Sequence, residues 1–497
     1  MTMDNATRLS ALDASFLHLE KAGARMHIAS VTIFEGPTPA YDELREHVEA
    51  RLHLVPRFRQ RLAEVPLDQG RPVWVDDPHF NLRYHLRHAG LPSPGSEEQL
   101  KNLAGRLFAQ SLDRTKPLWE MFLVTNVADD RFALIAKSHH ALVDGISAVD
   151  ITTVLFDTEP DAPRDPAPRR KWIARPLPSK AQLLGDALVE RATHPGEIAR
   201  SARAVVRGPR GFLRDAREGL QAIGSLAFGG LSAAPPTPLN VKVGPHRRYT
   251  WVDAELAEMN AIRTALGGTV DDAVLTSVAG ALGRFLRNRG VETEDLVLRV
   301  LAPVSIRADS DQGVLGNRVA ARFVSLPVGI EDPAAQYAAI RDETAELGNG
   351  HNAVRARTLT ELADFAPPTI LSQAARIQQR QRSFNLVITN VPGPQVPLYL
   401  LGRRLLALYP VIPLTGNHAL GIAVLSYNGR LGFGLLADYD AVSDLDELAA
   451  LVRESIDALV DAASAYRRRA RRRRKVQETA PSPPARPPTR PPAASPT

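Results

Sequence analysis

The stretch KSHHALVDGIS (residues 137–147) places two adjacent histidines shortly before an Asp-Gly pair. The preceding run RFALIAKSHH (131–140) is typical of a β-strand, which we expect to cover Arg131–His139 and to turn at His140. Neighbouring side chains of a strand point to opposite faces, so His139 and His140 cannot easily bind one metal ion. No H-x-E or H-E-x-x-H pattern accompanies them. The sequence therefore predicts no metal site.

The same spacing suits a general base. Histidine has an unperturbed pKa of about 6.5, which allows it to accept a proton near neutral pH. One histidine would face a cavity while the other packs behind the strand. Asp144 could then accept a hydrogen bond and fix the loop, and Gly145 permits a positive φ there. A pair of partly buried histidines beside an Asp-Gly turn, with no catalytic role, fits these residues equally well.

The composition narrows the chemistry further. The chain has 497 residues, 44% hydrophobic and 23% charged, which is typical of a globular protein with two or three domains. It contains no cysteine, which excludes disulfides, thiolate metal sites and a cysteine acyl-enzyme. We see no secretory signal at the N-terminus and no run near the roughly 18 apolar residues of a membrane span. We expect a cytoplasmic protein that is soluble or lies on a membrane.

The net charge of +6 is a property of the C-terminal end. Residues 467–497 contain ten Lys/Arg and one acidic residue, so the rest of the chain is net negative. Eight of the nine residues 467–475 are basic. Such a run can bind anionic lipid or nucleic acid, or remain solvated. We expect contact with a membrane or lipid droplet and no specific nucleic acid.

The first part of the chain alternates strand-like and helix-like segments. The predicted strands are HIASVTIFEG (27–36), WEMFLVTNV (119–127) and Arg131–His139, and the predicted helices are YDELREHVEARLHLV (41–55) and GISAVDITTVLFD (145–157). A Pro- and Arg-rich crossover follows (157–178), and then basic amphipathic segments (180–230).

A second α/β region begins near residue 238. Its predicted elements are a helix (269–290), a strand (296–307), a hairpin around Asn428-Gly429 (420–438) and a final helix (444–466). The Pro-rich end cannot bury enough surface to fold. We therefore place an N-terminal domain at 1–157, a linker at 158–237, a C-terminal domain at 238–466 and a disordered tail at 467–497.

His139-His140-Ala-Leu-Val-Asp144-Gly145 resembles the HHxxxDG motif of the coenzyme-A-dependent acyltransferases. That superfamily includes chloramphenicol-acetyltransferase-like enzymes and peptide-synthetase condensation domains. More narrowly, the chain resembles the bacterial wax ester synthase/diacylglycerol acyltransferase family. The supporting segments are LSALDASFL (9–17), MHIASVTIFEG (26–36), PLW (117–119), PLNVKVGPHRR (238–248), PVSIR (303–307), LGNR (315–318) and NLVITNVPGP (385–394).

The resemblance implies a two-domain chloramphenicol-acetyltransferase-like fold of the α/β class with mixed sheets, a helical crossover linker and a disordered tail. It implies transfer of a long acyl chain from acyl-CoA to the hydroxyl of diacylglycerol and of a fatty alcohol, with no cofactor. A thioester is already activated, so a base suffices and no protein nucleophile is needed. His140 would be that base, with His139 supporting it, Asp144 holding the loop and Arg307 as the candidate ion-pair partner.

One position departs from the family pattern. The family usually has Asn-Asp where this chain has Asp271-Asp272. An Asn amide at a helix start can donate to a developing oxyanion, whereas an ionised Asp271 would repel it, although the helix N-terminus favours an anion. Thr269 with Asp272 also fits a capping box, which is purely structural. A weaker enzyme, a different acceptor and no effect all stay open.

Two further segments are candidates for the channel or the interface between halves. Pro117, Leu118 and Trp119 would line or support the acyl channel, although a buried tryptophan is usually core. Asn390, Pro392 and Gly393 would form a rigid turn near the interface. Two alternatives to the acyl-CoA enzyme remain: a condensation-type acyltransferase that uses a carrier protein, and a catalytically weak lipid-binding homologue.

Overall fold

The computed structural model describes residues 7–20, 24–68, 70–142, 154–165, 172–193, 233–305, 319–349 and 383–479. Asp144, Gly145 and Arg307 lie outside these ranges, as do the predicted helix over 145–153 and most of the linker. Within the described residues the strands form two six-stranded mixed sheets and one three-stranded sheet. The expected class, α/β with mixed sheets, is confirmed.

The elements of the first half alternate between strand and helix. In chain order they are β1 (Thr7–Arg8), α1 (Ala11–Leu19), β2 (His27–Glu35), α2 (Tyr41–Arg51), 3-10 segments at Leu52–Leu54, Pro56–Arg59 and Pro66–Asp68, β3 (Gln60–Ala63), β4 (Val73–Asp76), α3 (Leu82–His85), β5 (Leu86–Gly90), α4 (Glu97–Ala109), β6 (Trp119–Val127), β7 (Arg131–His139) and α5 (Lys180–Thr193).

The second half adds eight strands and four helices among the described residues. They are β8 (Arg247–Glu255), α6 (Leu256–Leu266), α7 (Val270–Asn288), β9 (Val297–Ser305), β10 (Val319–Pro327), α8 (Pro333–Asn349), β11 (Leu386–Pro392), β12 (Tyr399–Leu400), β13 (Arg403–Val411), β14 (Leu420–Tyr427), β15 (Arg430–Asp438) and α9 (Leu445–Thr479).

The hairpin predicted around Asn428-Gly429 is present, and the two strands predicted at 119–127 and 131–139 also form a hairpin. Strands β6 and β7 pair antiparallel around a turn in which Asp129 and Asp130 have φ of 61° and 52°. Strands β14 and β15 pair around Asn428 (φ 44°) and Gly429 (φ 82°), as the type I′ preference of Asn-Gly requires. Strand β7 ends at His139, where the sequence placed its end.

The sheet order shows how the two halves are joined. The first sheet runs β12-β13-β2-β7-β6-β5, and the second runs β10-β9-β11-β14-β15-β8. Strand β13 therefore comes from the second half of the chain but pairs antiparallel with β2 in the first sheet. The domain boundaries drawn from the sequence did not foresee this exchange and otherwise stay a prediction.

The exchanged strand packs closely on the second sheet. The Tyr409 ring stacks on Trp251 with centroids 4.6 Å apart, and its hydroxyl donates to Asp253 at 2.9 Å. Gly434 in β15 lies so close to β13 that a Cβ there would sit 1.8 Å from the Pro410 carbonyl oxygen. The backbones of the two halves thus touch where glycine leaves room.

The crossover after the first domain is held by ion pairs. Arg51 donates to Asp157 and Asp165, each at 2.5 Å. Arg175 makes a two-pronged contact with the buried carboxylate of Asp76, at 2.8 and 3.0 Å. These described parts of the Pro-rich segment are therefore fastened to the first half.

The basic run is helical where we expected disorder. Helix α9 continues to Thr479, so the predicted end at Tyr466 and the predicted disorder of 467–479 are wrong. Arginine, lysine and alanine are good helix formers, and positive charge near a helix C-terminus interacts favourably with the helix dipole. The first proline after the run is Pro481, so no residue in between breaks the helix. Residues 480–497 lie outside the described part.

The core lies on both faces of the first sheet and under the second. Helix α7 is almost wholly buried there, between the second sheet and α9. Among the described helices, none is both long and apolar enough to cross a bilayer.

We predict that Gly434→Ala lowers the free energy of unfolding by about 1–3 kcal/mol, because the added methyl group must push β13 away from β15. Denaturant unfolding measures this loss. Gly185→Ala is the matched control: the residue is exposed within α5, and nothing lies within 4 Å of the added Cβ. That substitution should be neutral or stabilise by about 0.5–1 kcal/mol, and equal effects at both positions would contradict the close crossing.

Candidate functional site

The end of β7 positions the two histidines by backbone hydrogen bonds. The His139 N–H donates to the Leu118 carbonyl at 2.9 Å, and the His140 N–H donates to the Met26 carbonyl at 2.8 Å. The Leu142 N–H then donates to the His139 carbonyl at 2.8 Å and closes the turn. The side chain of His139 is 1% exposed, whereas His140 is partly exposed. The two residues thus have different environments, as the strand geometry predicts.

His139 is fixed in one tautomer by its neighbours. The Ala141 N–H donates to Nδ1 of His139 at 3.0 Å, so in the neutral ring Nδ1 is the acceptor and the proton is on Nε2. Nε2 lies 3.6 Å from Oε2 of Glu20. The imidazole therefore links the turn that carries His140 to a carboxylate on another element. His139 is a supporting residue in this geometry.

Glu20 follows helix α1 and is the centre of a buried polar cluster. Its Oε2 accepts from Arg114 at 2.7 Å, and its Oε1 lies 3.4 Å from Nε2 of His27. Burial alone would raise the pKa of Glu20, but contacts with His139, His27 and Arg114 hold that pKa well below its usual value. Burial lowers the pKa of His27 to about 4. At neutral pH a carboxylate thus faces a neutral His27 and a charged guanidinium.

His140 is held by an aromatic ring. Its imidazole stacks on Phe16 with centroids 3.9 Å apart and an interplanar angle of 28°. Its Nδ1 is buried and has no hydrogen-bond partner among the described residues. Burial, with a smaller contribution from His139, lowers the pKa of His140 to about 4. The ring is therefore unprotonated at neutral pH and able to accept a proton, although the lower pKa makes it a weaker base.

A second buried pair includes Lys137, which lies two residues before His139 on the same face of β7. Lys137 Nζ lies 3.2 Å from Oε2 of Glu120 and donates to the carbonyls of Leu107 and Gln110 at 3.1 and 3.0 Å. These carbonyls belong to the end of α4, where a helix leaves its acceptors unpaired. Burial lowers the pKa of Lys137. This cation holds α4 against the sheet.

The PLW segment supports the site from inside the core. The Leu118 carbonyl accepts from the His139 N–H, as described above. Trp119 is 2% exposed, and its indole N–H donates to the Phe58 carbonyl at 2.8 Å. His85 stacks on its ring at 4.7 Å. Leu118 and Trp119 are thus packed core residues that fix β6 and β7; a role of Pro117–Trp119 in an acyl channel stays a prediction.

Thr269 is the N-cap of α7, as predicted. Its hydroxyl accepts from the Asp272 N–H at 3.1 Å, while Asp272 accepts from the Thr269 N–H at 2.7 Å. Thr344 also donates to Asp272, at 2.5 Å. The capping box is confirmed, and Asp272 is occupied by structural contacts.

Asp271 has two partners that the sequence did not reveal. Arg322 in β10 donates to its Oδ2 at 3.0 Å, and the Asn390 amide hydrogen-bonds to the same carboxylate. Burial raises the pKa of Asp271, and Arg322 acts in the opposite direction. Asn390 and Asp271, which the sequence analysis treated separately, thus belong to one cluster.

The turn after β11 packs on the β14–β15 hairpin. The Gly393 N–H donates to the Ser426 hydroxyl at 3.2 Å, and a Cβ on Gly393 would sit 2.2 Å from the Ser426 carbonyl oxygen. Position 393 therefore requires glycine, because the backbone there approaches that of Ser426 closely. Their contacts are structural.

Several functional candidates were missed by sequence reasoning. Phe16 and Glu20 lie in or just after the quoted segment LSALDASFL, and His27 lies in MHIASVTIFEG, but none had been assigned a role. The signal was the resemblance of these segments to the family; their contacts arise only from packing. Among the described residues, no group of three or more His, Asp or Glu side chains could hold a metal ion.

Comparison with known proteins gives matches along most of the chain. Residues 9–274 match the wax ester synthase/diacylglycerol acyltransferase catalytic domain, and residues 315–460 match the C-terminal domain of the same proteins. A probable diacylglycerol O-acyltransferase of Mycobacterium tuberculosis is 33% identical over 456 residues, covering 91% of this chain and 95% of that protein.

Two solved structures share the fold. A wax ester synthase/diacylglycerol acyltransferase from Marinobacter aquaeolei VT8 is 26% identical with a TM-score of 0.67, covering 92% of this chain and 100% of that one. The starter condensation domain of rhizomide synthetase has a TM-score of 0.52 at 16% identity, covering 93% and 96%. The latter supports the fold alone.

We predict that Glu20→Ala lowers turnover by at least about tenfold, because loss of the carboxylate frees His139 and the turn that positions His140. Glu20→Gln keeps an acceptor oxygen and should retain more activity. Glu35→Ala, an exposed glutamate at the other end of β2, is the control and should have native activity. Steady-state assays with thermal unfolding of each variant measure this, and native turnover in folded Glu20→Ala would disprove the positioning role.

Proposed function

The chain belongs to the wax ester synthase/diacylglycerol acyltransferase family, and from that premise we propose that it transfers a long-chain acyl group from acyl-CoA to the hydroxyl of diacylglycerol. Fatty alcohols are proposed as second acceptors, which would give wax esters. The observation that carries the proposal is the His140 imidazole, unprotonated at neutral pH and stacked on Phe16. It lies within the region that matches the family's catalytic domain.

The proposed step needs one base and no covalent enzyme intermediate. His140 removes the proton of the acceptor hydroxyl while the oxygen attacks the thioester carbonyl carbon. The tetrahedral intermediate then collapses, the C–S bond breaks, and the CoA thiolate takes the proton from the imidazolium. An ester and free CoA result. Because the thioester is already activated, the mechanism does not require a cysteine nucleophile, and the chain contains no cysteine.

The surroundings of His140 favour this role. Phe16 fixes the ring plane, and the bond from Ala141 to His139 fixes the turn from which the ring projects. In the family motif Asp144 supports the loop and Gly145 allows its turn; we retain these roles, and Arg307 as a partner of Asp144, as proposals. No metal or cofactor is needed for the step.

We predict that His140→Ala lowers turnover by at least about 10²-fold, because a general base typically contributes about 10²–10⁴. The assay offers labelled palmitoyl-CoA with diacylglycerol and hexadecanol in parallel and separates the products by polarity. His88→Ala, an exposed histidine of β5 that contacts Thr125, is the control and should stay active. If folded His140→Ala transfers acyl groups at the native rate, His140 is not the base.

The donor distinguishes this proposal from its rivals. A condensation-type enzyme would use an acyl-carrier thioester in preference to palmitoyl-CoA in the same assay. A lipid-binding homologue would form neither product while still binding acceptor lipid. Transfer from palmitoyl-CoA to either acceptor supports the acyl-CoA enzyme against both.

We propose further that the basic end of α9 binds anionic lipid, at the inner membrane or a lipid droplet. The residues Tyr466–Arg472 are exposed, so the arginines extend beyond the core on a continuous helix. Each basic residue near an anionic membrane surface contributes on the order of 1 kcal/mol. A protein docked in this way would meet acceptors that dissolve in lipid.

Deletion of residues 467–497 should therefore weaken sedimentation with phosphatidylglycerol vesicles at low salt, because the basic residues are lost, and the difference should shrink at high salt. Deletion of residues 480–497 alone is the matched control, since it removes the Pro-rich end and keeps the basic helix. Equal vesicle binding by the full-length chain and the 467–497 deletion would exclude the helix as the lipid contact.

A further inference from the structure

The end of helix α1 reaches both histidines of the pair with side chains four residues apart. The Phe16 ring stacks on the His140 imidazole with centroids 3.9 Å apart, and Oε2 of Glu20 lies 3.6 Å from Nε2 of His139. Side chains at i and i+4 lie on the same face of a helix. The same helix end therefore supplies a carboxylate to the supporting histidine and an aromatic ring to the proposed base.

The two contacts differ in kind. Glu20 makes polar contacts, whereas the Phe16 ring covers one face of the His140 imidazole with carbon atoms. Resting on the function proposed above, we propose that Phe16 is a specificity-determining residue that keeps water away from His140. The base then takes its proton from a lipid hydroxyl and not from water.

Water is the competing acceptor for a base beside a thioester. If His140 removed a proton from water, the water oxygen would attack the thioester carbonyl carbon and the C–S bond would break. The CoA thiolate would then take the proton from the imidazolium. The products would be a fatty acid and CoA, and the activated acyl group would be lost. Exclusion of water from a site prevents such side reactions.

Phe16 is held in place by the end of its helix. Its carbonyl accepts from the Glu20 N–H at 3.1 Å, and the Leu17 carbonyl accepts from the Arg114 guanidinium at 2.9 Å. These bonds satisfy carbonyls that a helix end leaves without partners inside the helix. The backbone that carries the Phe16 ring is thus fixed by the same residues that surround His139.

The neighbours of the stack are apolar. Leu17, which follows Phe16, belongs to the same buried hydrophobic cluster as Ala141 and Leu142, which follow His140. An ordered water in a protein interior needs about two to four polar partners, and the side chains of these four neighbours offer none. A water among them would have the imidazole as its polar partner, which is too few to hold it.

The titration of His140 agrees with a ring that has little water around it. Burial is the largest cause of its lowered pKa, which is about 4, because removal of water disfavours the charged form. The residue is still partly exposed. A long-chain alcohol gains free energy from contact with apolar side chains, whereas water does not, so an apolar wall beside the base favours the lipid acceptor.

The ratio of hydrolysis to transfer tests the proposal. Each variant receives labelled palmitoyl-CoA and diacylglycerol, and the labelled fatty acid and ester are separated by polarity. Phe16→Ala should raise the ratio of fatty acid to ester by at least about fivefold, because water can enter the space that the ring leaves. Phe16→Leu refills much of that space with apolar atoms and should stay within about twofold of the native ratio.

Two further variants separate water exclusion from a general loosening of the fold. The added hydrolysis should disappear when His140→Ala is combined with Phe16→Ala, because it uses the same base. Phe80→Ala removes another phenylalanine that stacks on a histidine, with the ring centroids of Phe80 and His85 5.3 Å apart, and should keep the native ratio. Thermal unfolding shows that each variant is folded.

A reagent that needs no substrate distinguishes this inference from the proposed function. Diethyl pyrocarbonate modifies unprotonated histidine, and mass spectrometry measures the rate at His140. That rate should rise at least about fivefold in Phe16→Ala and stay near the native rate in Phe16→Leu. If the native chain forms no ester from palmitoyl-CoA, the proposed function fails, while the modification rate still shows whether Phe16 screens the ring.

The role of Phe16 is overturned by any of three results. They are an unchanged product ratio in folded Phe16→Ala when the native chain forms ester, added hydrolysis that persists without His140, and equal modification of His140 with and without the Phe16 ring. Added hydrolysis in Phe16→Ala that depends on His140 and is reversed by leucine supports it.

Discussion

The site depends on one buried carboxylate. Glu20 accepts from Arg114 and faces the imidazoles of His27 and His139. An ionised carboxylate is costly to bury unless cations or hydrogen-bond donors surround it, so it requires β2, β7 and the segment of Arg114 to be in place. Nδ1 of His139 also accepts a hydrogen bond from the Ala141 N–H. His139, and not the proposed base His140, therefore makes the contacts that hold the turn. The ring of His140 stacks on Phe16, and among the described residues nothing hydrogen-bonds to its buried Nδ1.

The second constraint is the exchange of β13 into the first sheet. Because this strand pairs with β2 while its Tyr409 packs on β8, the two halves share a sheet and an interface. Strand β2 in turn carries His27 and, just before it, the carbonyl of Met26 that holds His140. The strand through which the two halves pair, β2, is therefore the same strand that borders the candidate site. A proposed reaction between two large lipid substrates needs such a fixed relation of the halves.

The sequence determined the local elements and the chemistry of single residues. The alternation of RFALIAKSHH placed the end of β7 at His139, Asn428-Gly429 placed a hairpin, and Thr269 with Asp272 placed a helix start, because each depends on neighbours in sequence. The resemblance pointed to His140 as the candidate base. The basic run was misjudged because its composition was interpreted as solvated tail, whereas its residues extend the preceding helix.

Only the tertiary structure decided the partners. Glu20 meets His139 across more than a hundred residues, Arg322 meets Asp271 from another strand, and β13 joins a sheet whose other long strands lie in the first half. No local pattern encodes such contacts, because they follow from how strands are ordered and how charges are compensated once buried. The sequence named the proposed base, and the fold determined what holds it.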